Sequence, residues 1–213
     1  MAEERRWLME LRAIRCVENL KKHRFDAHFM LDCQSVREEV KALLEPVKSA
    51  GFGGSDTVRS MGLHTLAREM GKVVFDHSVP DLTFEETLAM RKAQQSCDLF
   101  FTSANALSET GEIVNVDGIG NRTNAMSFGP DRVVVVAGYN KIAPDLEGAL
   151  RRIREVAGPM RAKSLGMETP CAVTGVCSDC NSSMRICNIT TILHRKPMLT
   201  KITVFVVGEE LGY

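Results

Sequence analysis

Four consecutive valines, Val133–Val136, stand in the stretch "DRVVVVAG", Asp131 to Gly138. Neighbouring residues of a strand point to opposite faces, so a strand that is apolar at every position must be covered on both sides. The rest of the chain supplies the cover. Residues 3–22 place Trp7, Leu8, Leu11, Ile14, Cys16, Val17 and Leu20 at helical spacing between charges. "FDAHFMLD" reads as a strand, and "CQSVREEVKALLEPV" as a helix that stops near Pro46. "KVVFD", "CDLFFTSAN" and "TKITVFVVGE" are further strands. "TFEETLAMRKAQQS" is a helix opened by a Thr83–Glu86 capping box, and "APDLEGALRRIREVAG" is a helix with Pro144 near its start. Alternating helices and β-branched strands predict an α/β fold, a mostly parallel sheet flanked by helices. With no repeat or long linker, residues 1–213 are expected to form a single domain.

Charge and targeting signals narrow the setting. The 27 basic residues are balanced by 27 acidic ones. No basic field for nucleic acid or anionic membrane is expected. No apolar run is long enough to span a bilayer, and the charged start "MAEERRWLMELR" lacks an export signal. The expected location is cytoplasmic, where thiols stay reduced and clustered cysteines serve metal or redox chemistry.

Three polar stretches follow apolar strands, where open α/β sheets place ligands. "GFGGSDT" offers Gly53, Gly54, Ser55 and Thr57 for a carboxylate or phosphate, with Asp56 an awkward neighbour for an anion. The plainer reading is a tight turn with Ser55 or Asp56 as N-cap. "TSANALSETGEIVNVDGIGNR" offers Asn105, Asn115, Asn121 and Arg122 as ligand contacts, and Asp117 and Glu109 as candidate catalytic carboxylates. Its residues from Gly111 onward read as a glycine-punctuated hairpin or loop. "GYNKI" offers Lys141, either an anion contact or a solvated lysine. His64 would line the pocket or lie at a helix start, and His194 would be a spare ligand or part of an exposed basic loop.

Four cysteines, Cys171, Cys177, Cys180 and Cys187, fall within the nineteen residues Pro170–Asn188. Their spacing is Cys-x5-Cys-x2-Cys-x6-Cys. The central pair lets two thiolates converge from one turn, and the flanking cysteines can complete a set of four. Four thiolates suit zinc or an iron–sulfur cluster. The spacing is neither a ferredoxin run nor a zinc ribbon. Disulfide pairing and plain thiols are the other readings. Residues 166–196 are expected to be a Cys-rich loop inserted before the last strand.

"GGSDTVRSMGL", "TSANALSETGEIVNVDGIGNR", "FGPDRVVVVAGYNKI" and "VVGEELGY" together resemble the LUD-domain family, the lactate-utilisation proteins, from about Leu20 to Tyr213. The resemblance implies the fold shared by CoA transferases, ribose-5-phosphate isomerase and glucosamine-6-phosphate deaminase. It implies a phosphate- or CoA-type loop at Gly53, Gly54, Ser55 and Thr57. It also implies a setting in lactate or organic-acid use beside iron–sulfur proteins. Where related isomerases carry a catalytic Asp, this chain has Asn105, and an amide is no general base. The resulting expectation is a domain that binds a small anionic metabolite and holds a metal or iron–sulfur centre on the four clustered cysteines. Two rivals stay open: a sugar-phosphate isomerase or CoA-transferase-like enzyme, and a non-catalytic electron-transfer subunit of an iron–sulfur oxidoreductase. Whether residues 1–22 pack on their own domain or on a second copy is open too.

Overall fold

The computed structural model describes residues 3–213. The chain begins with α1 (Glu3–Lys22), β1 (Asp26–Met30), α2 (Cys33–Leu44) and β2 (Ser49–Phe52). Two short helices, α3 (Asp56–Ser60) and α4 (Leu63–Glu69), lead to β3 (Val73–Asp76). Then come α5 (Phe84–Ala93), β4 (Leu99–Thr102), β5 (Ala106–Ser108), β6 (Ile113–Asp117) and α6 (Asn121–Ser127). The chain continues through β7 (Arg132–Gly138), β8 (Ile142–Ala143), α7 (Leu146–Arg152), α8 (Gly158–Ser164) and α9 (Pro170–Thr174). It closes with β9 (Ile189–Leu193) and β10 (Lys201–Val207).

Six strands form an all-parallel sheet in the order β1-β10-β7-β4-β2-β3. The valines of β7 divide between its faces as the apolar run demands. Val133 and Val135 join the core under α1, with Ala13, Cys16, Val17 and Leu20. Val134 and Val136 join the opposite core, with Val36, Val40 and Leu44 of α2 and Leu63 and Leu66 of α4. The predicted capping box forms: Thr83 Oγ1 accepts from Glu86 N–H, and Glu86 accepts from Thr83 N–H.

Three details differ from the sequence reading. Residues 113–127, read as a hairpin or loop, are strand β6 followed by helix α6. The region 166–196 is not all loop, because Ile189–Leu193 pairs antiparallel with β6. β9 is thereby the edge of a second, four-stranded sheet ordered β8-β5-β6-β9. In α1, the faces of Trp7, Leu8, Leu11 and Ile14 stay exposed, and Met9 and Ala13 are buried instead.

The helix running from α7 to α8 carries one π turn, Ile153–Ala157. Pro159 has no N–H to give the preceding turn, and Gly158 N–H reaches Ile153 O instead. This irregular turn faces the candidate site.

Candidate functional site

Three loops leave the C-terminal ends of β2, β4 and β7 and meet around a cavity of about 400 Å³. Nine sequence-predicted residues line it: Gly53, Gly54, Ser55, Thr57, Asn105, Asp117, Asn121, Arg122 and Lys141. Parallel strands direct their C-terminal loops to one edge, so residues nearly ninety positions apart become neighbours.

The glycine loop is shaped by contact. Gly54 has φ +72°, and a Cβ there would meet His77 Nε2 at 3.0 Å. A Cβ on Gly53 would lie 3.0 Å from the Phe100 ring and 3.3 Å from Arg122 Cγ. Ser55 caps α3, its Oγ accepting from Val58 N–H at 3.3 Å. The plainer reading of Ser55 as an N-cap therefore holds, and the same residue also borders the cavity.

Lys141 is buried at 4% exposure. Its Nζ donates to Thr57 Oγ1 at 3.1 Å and to Ser103 Oγ at 3.0 Å. Both partners are neutral hydroxyls. Burial, reinforced by the nearby Arg152 and Arg122 charges, pulls its pKa down from 10.5 to about 7. The chain's last turn passes over it: a Cβ on Gly212 would lie 2.7 Å from Thr57 Oγ1 and 3.3 Å from Lys141 Nζ.

Asp117 is fully engaged. One carboxylate oxygen accepts from Arg122 Nε at 2.9 Å, and the other from Thr123 N–H at 2.8 Å. Arg122 also donates to Asn105 Oδ1 and Val116 O, each at 2.8 Å. Asn105 is thus a fastening for the guanidinium. Asp56, the awkward neighbour, is ion-paired with Arg161.

Two site candidates lie elsewhere. Asn115 is buried beneath the cavity wall, accepting from Asn105 N–H at 2.8 Å and donating to Ser103 O at 3.2 Å. Glu109 sits at the β5–β6 turn, where it pairs with Arg12 and Arg15 of α1. Asn19 Nδ2 adds a 2.7 Å bond to Glu109 O. Glu109 therefore docks the first helix rather than lining the cavity. Glu109→Gln is expected to leave anion binding unchanged and lower Tm by about 2–4 °C, as a half-exposed ion pair worth about 1 kcal/mol would. A calorimetric titration beside a melting curve checks both halves. His64 is also outside the cavity, stacked on Phe52 at 3.9 Å and pushed down to about pKa 4 by burial.

The cavity also has walls with no signal in the sequence. Arg91 of α5 and Arg161 of α8 line it, as does His77. Burial and the Arg91 charge hold His77 below its ordinary pKa. The buried Arg91 Nε and Asn121 Nδ2 have no hydrogen-bond partner among the described residues. Arg91, Arg122, Lys141 and Arg161 face the cavity with only Asp56 and Asp117 against them, and both carboxylates are already paired.

The four clustered cysteines all border a second cavity of about 310 Å³. All seven cysteines of the chain are free thiols. Arg185 binds the segment together: Nη1 donates to Cys180 O, Nε to Cys187 O at 3.2 Å, and Nη2 to Asp179 at 2.8 Å. Among the described residues, no three His, Cys, Asp or Glu side chains form a group that could hold a metal ion. No helix among them is long and apolar enough to cross a membrane.

A family model for the LUD domain matches residues 14–207. Among solved structures, the crystal structure of a DUF162 family protein from Deinococcus radiodurans is similar, with a TM-score of 0.53 at 12% identity. The match covers 95% of this chain and 98% of that one. At that identity the likeness speaks for the fold. No curated protein matches the chain.

Proposed function

This chain belongs to the LUD-domain family, whose association is with lactate utilisation, and from that premise we propose that its strand-end cavity binds a small organic anion, a carboxylate or phosphate of lactate-like size. The observation that carries the proposal is Lys141. It is 4% exposed, its hydrogen-bond partners are two hydroxyls, and the cavity it borders is also lined by the cationic side chains Arg91, Arg122 and Arg161. A buried lysine without a carboxylate loses its proton more easily, here near pH 7, and a bound anion would stabilise the ammonium form. Arg122 and Arg161 are already held by carboxylates, so the net attraction comes from Lys141 and Arg91.

For the cysteine segment the spacing and the one cavity that all four thiols border support a metal centre, zinc or iron–sulfur, while the arrangement of the described residues, with no three His, Cys, Asp or Glu grouped to hold a metal ion, counts against it. The isomerase and CoA-transferase rivals need a free carboxylate at the reacting atoms. Glu109 is on the far turn and Asp117 is bound to Arg122 and Thr123, which disfavours both.

Isothermal titration with lactate, pyruvate, inorganic phosphate and a sugar phosphate tests the pocket. At least one is expected to bind, and Arg91→Met to weaken it about tenfold, the effect of one charge-assisted hydrogen bond. No binding at millimolar concentration, or equal binding in the variant, would refute the assignment.

A further inference from the structure

Ser103 and Lys141 meet at the edge where the loops of the parallel sheet converge. β4 and β7 are hydrogen-bonded parallel neighbours, so the residues that follow them leave the sheet side by side. Ser103 comes directly after β4, and Lys141 lies in the short turn Tyr139–Lys141 after β7. Lys141 Nζ is 3.0 Å from Ser103 Oγ, and both residues border the strand-end cavity. A primary alcohol within hydrogen-bond reach of an amine, on a cavity with room for a small molecule, is the arrangement of an activated nucleophile.

The surroundings keep that amine a base. Burial, then the charges of Arg152 on α7 and Arg122 on α6, lower its pKa to about 7, with Asp56 of α3 opposing them. Asp56 is itself ion-paired with Arg161. Arg152 is fastened to backbone carbonyls, Nη1 on Asn105 O at 2.7 Å and Nε on Asn140 O at 3.1 Å, and so stays beside the amine as a fixed positive charge. A neutral amine has two N–H donors and one lone pair. One N–H keeps its bond to Thr57 Oγ1, 3.1 Å away, and the lone pair can accept the Ser103 O–H. The other contact of Ser103 Oγ, to Ala104 O, is long at 3.4 Å and competes weakly for that proton. Two further hydroxyls on the cavity are placed differently. Ser55 Oγ caps α3. Thr57 Oγ1 lies under the last turn of the chain, where a Cβ on Gly212 would come within 2.7 Å.

We infer that Ser103 and Lys141 form a nucleophile–base pair that hydrolyses esters of small carboxylic acids. Lys141 Nζ takes the Ser103 hydroxyl proton as Oγ bonds to the acyl carbon. The alcohol oxygen of the ester leaves with that proton. Water then adds to the acyl carbon and gives a proton to Nζ, and Ser103 Oγ departs and recovers it. The acid set free is a small carboxylate, the kind of anion assigned to this cavity, and the inference rests on that reading only for the size and charge of its product.

Diisopropyl fluorophosphate, whose fluoride an activated serine displaces, is applied to the full chain at about pH 8, where the amine form prevails. Peptide mapping by mass spectrometry then locates the phosphoryl group. The expected result is stoichiometric label on Ser103, with turnover of para-nitrophenyl acetate lost in parallel. No label, or label on another residue, would overturn the pair; this arm uses the unsubstituted chain and depends on no variant folding. Lys141→Met is expected to slow labelling about a hundredfold or more, the contribution of a positioned base. In the parent the rate should climb with pH up to about 7 and level off above it. An undiminished rate in the variant, or a rate in the parent that climbs without levelling, would remove Lys141 as the base. Both reagents are uncharged, so the result is read separately from the anion pocket. Calorimetric binding of lactate or phosphate without labelling overturns the pair and leaves the pocket. Labelling of Ser103 without calorimetric binding overturns the pocket and leaves the pair.

Discussion

Replacing Lys141 with methionine is expected to abolish anion binding and to make the protein more stable. These effects normally run in opposite directions, and their combination identifies a buried functional charge. Lysine and methionine fill similar space, so the variant keeps the packing and loses the ammonium. In the folded chain that ammonium is removed from water and meets only Thr57 and Ser103 hydroxyls. A shift from 10.5 to about 7 marks the penalty. Each pKa unit is about 1.4 kcal/mol, so after subtracting the two lost hydrogen bonds a gain of about 2 kcal/mol is expected. For a chain of this size that is about 4–8 °C in Tm. The pH dependence carries the same signature. Between pH 7 and 10.5 the unfolded chain still binds this proton and the folded chain does not. Stability of the parent protein therefore rises with pH across that window, and the methionine variant lacks the rise. Anion affinity runs the other way, greatest below pH 7 and falling by up to about tenfold per unit above it, since only protonated Lys141 attracts the ligand. Melting curves and calorimetry at about pH 6 and about pH 8.5, on either side of that titration, check both. A variant that melts lower, or binds the anion as tightly as its parent, would show that Lys141 is a structural residue.

The route from sequence to site worked where strand physics governs it. An uninterrupted apolar run such as Val133–Val136 specifies a two-sided strand, and a parallel two-sided sheet sends its C-terminal loops to one edge. Ser55, Asn105 and Lys141 were legible for that reason alone. The short strands β5 and β8 were not, because three and two residues carry no period. This explains Glu109. Asn105 and Glu109 are four apart in sequence, but β5 runs between them and carries Glu109 away from the cavity at about 3.3 Å per residue. Arg91 and Arg161 were illegible for a different reason. Each lies on a helix among other charges, and a cation turned toward a cavity has the same sequence pattern as one turned toward water. The cysteine spacing Cys-x5-Cys-x2-Cys-x6-Cys fits four ligands of any thiophilic metal; in the fold the four thiols border one cavity, yet among the described residues no three His, Cys, Asp or Glu side chains form a group that could hold a metal ion.

Asp117→Asn is expected to lower stability and tighten anion binding, which is the opposite of what a general base or ligand contact would do. The sequence alone presents Asp117 as a carboxylate in a polar loop. In the fold it is 8% exposed and locked between the Arg122 guanidinium and Thr123 N–H. Its work is to neutralise Arg122 and to hold the first turn of α6. Breaking a buried pair by removing one partner costs about 3–5 kcal/mol. Asparagine keeps an acceptor for Thr123 N–H, so about 2–3 kcal/mol and a fall of about 4–12 °C in Tm are expected. Asp117→Ala, which keeps neither bond, should fall further. The remaining bonds to Asn105 Oδ1 and Val116 O hold the guanidinium near its present place. Arg122 then faces the cavity with its charge uncompensated. A cavity that already favours anions gains a further positive charge, and affinity for the bound carboxylate or phosphate should rise several-fold at low ionic strength, less so in added salt. Titration at two salt concentrations beside a melting curve reads both effects. Loss of binding with unchanged stability would return Asp117 to the ligand-contact or catalytic role suggested by its sequence.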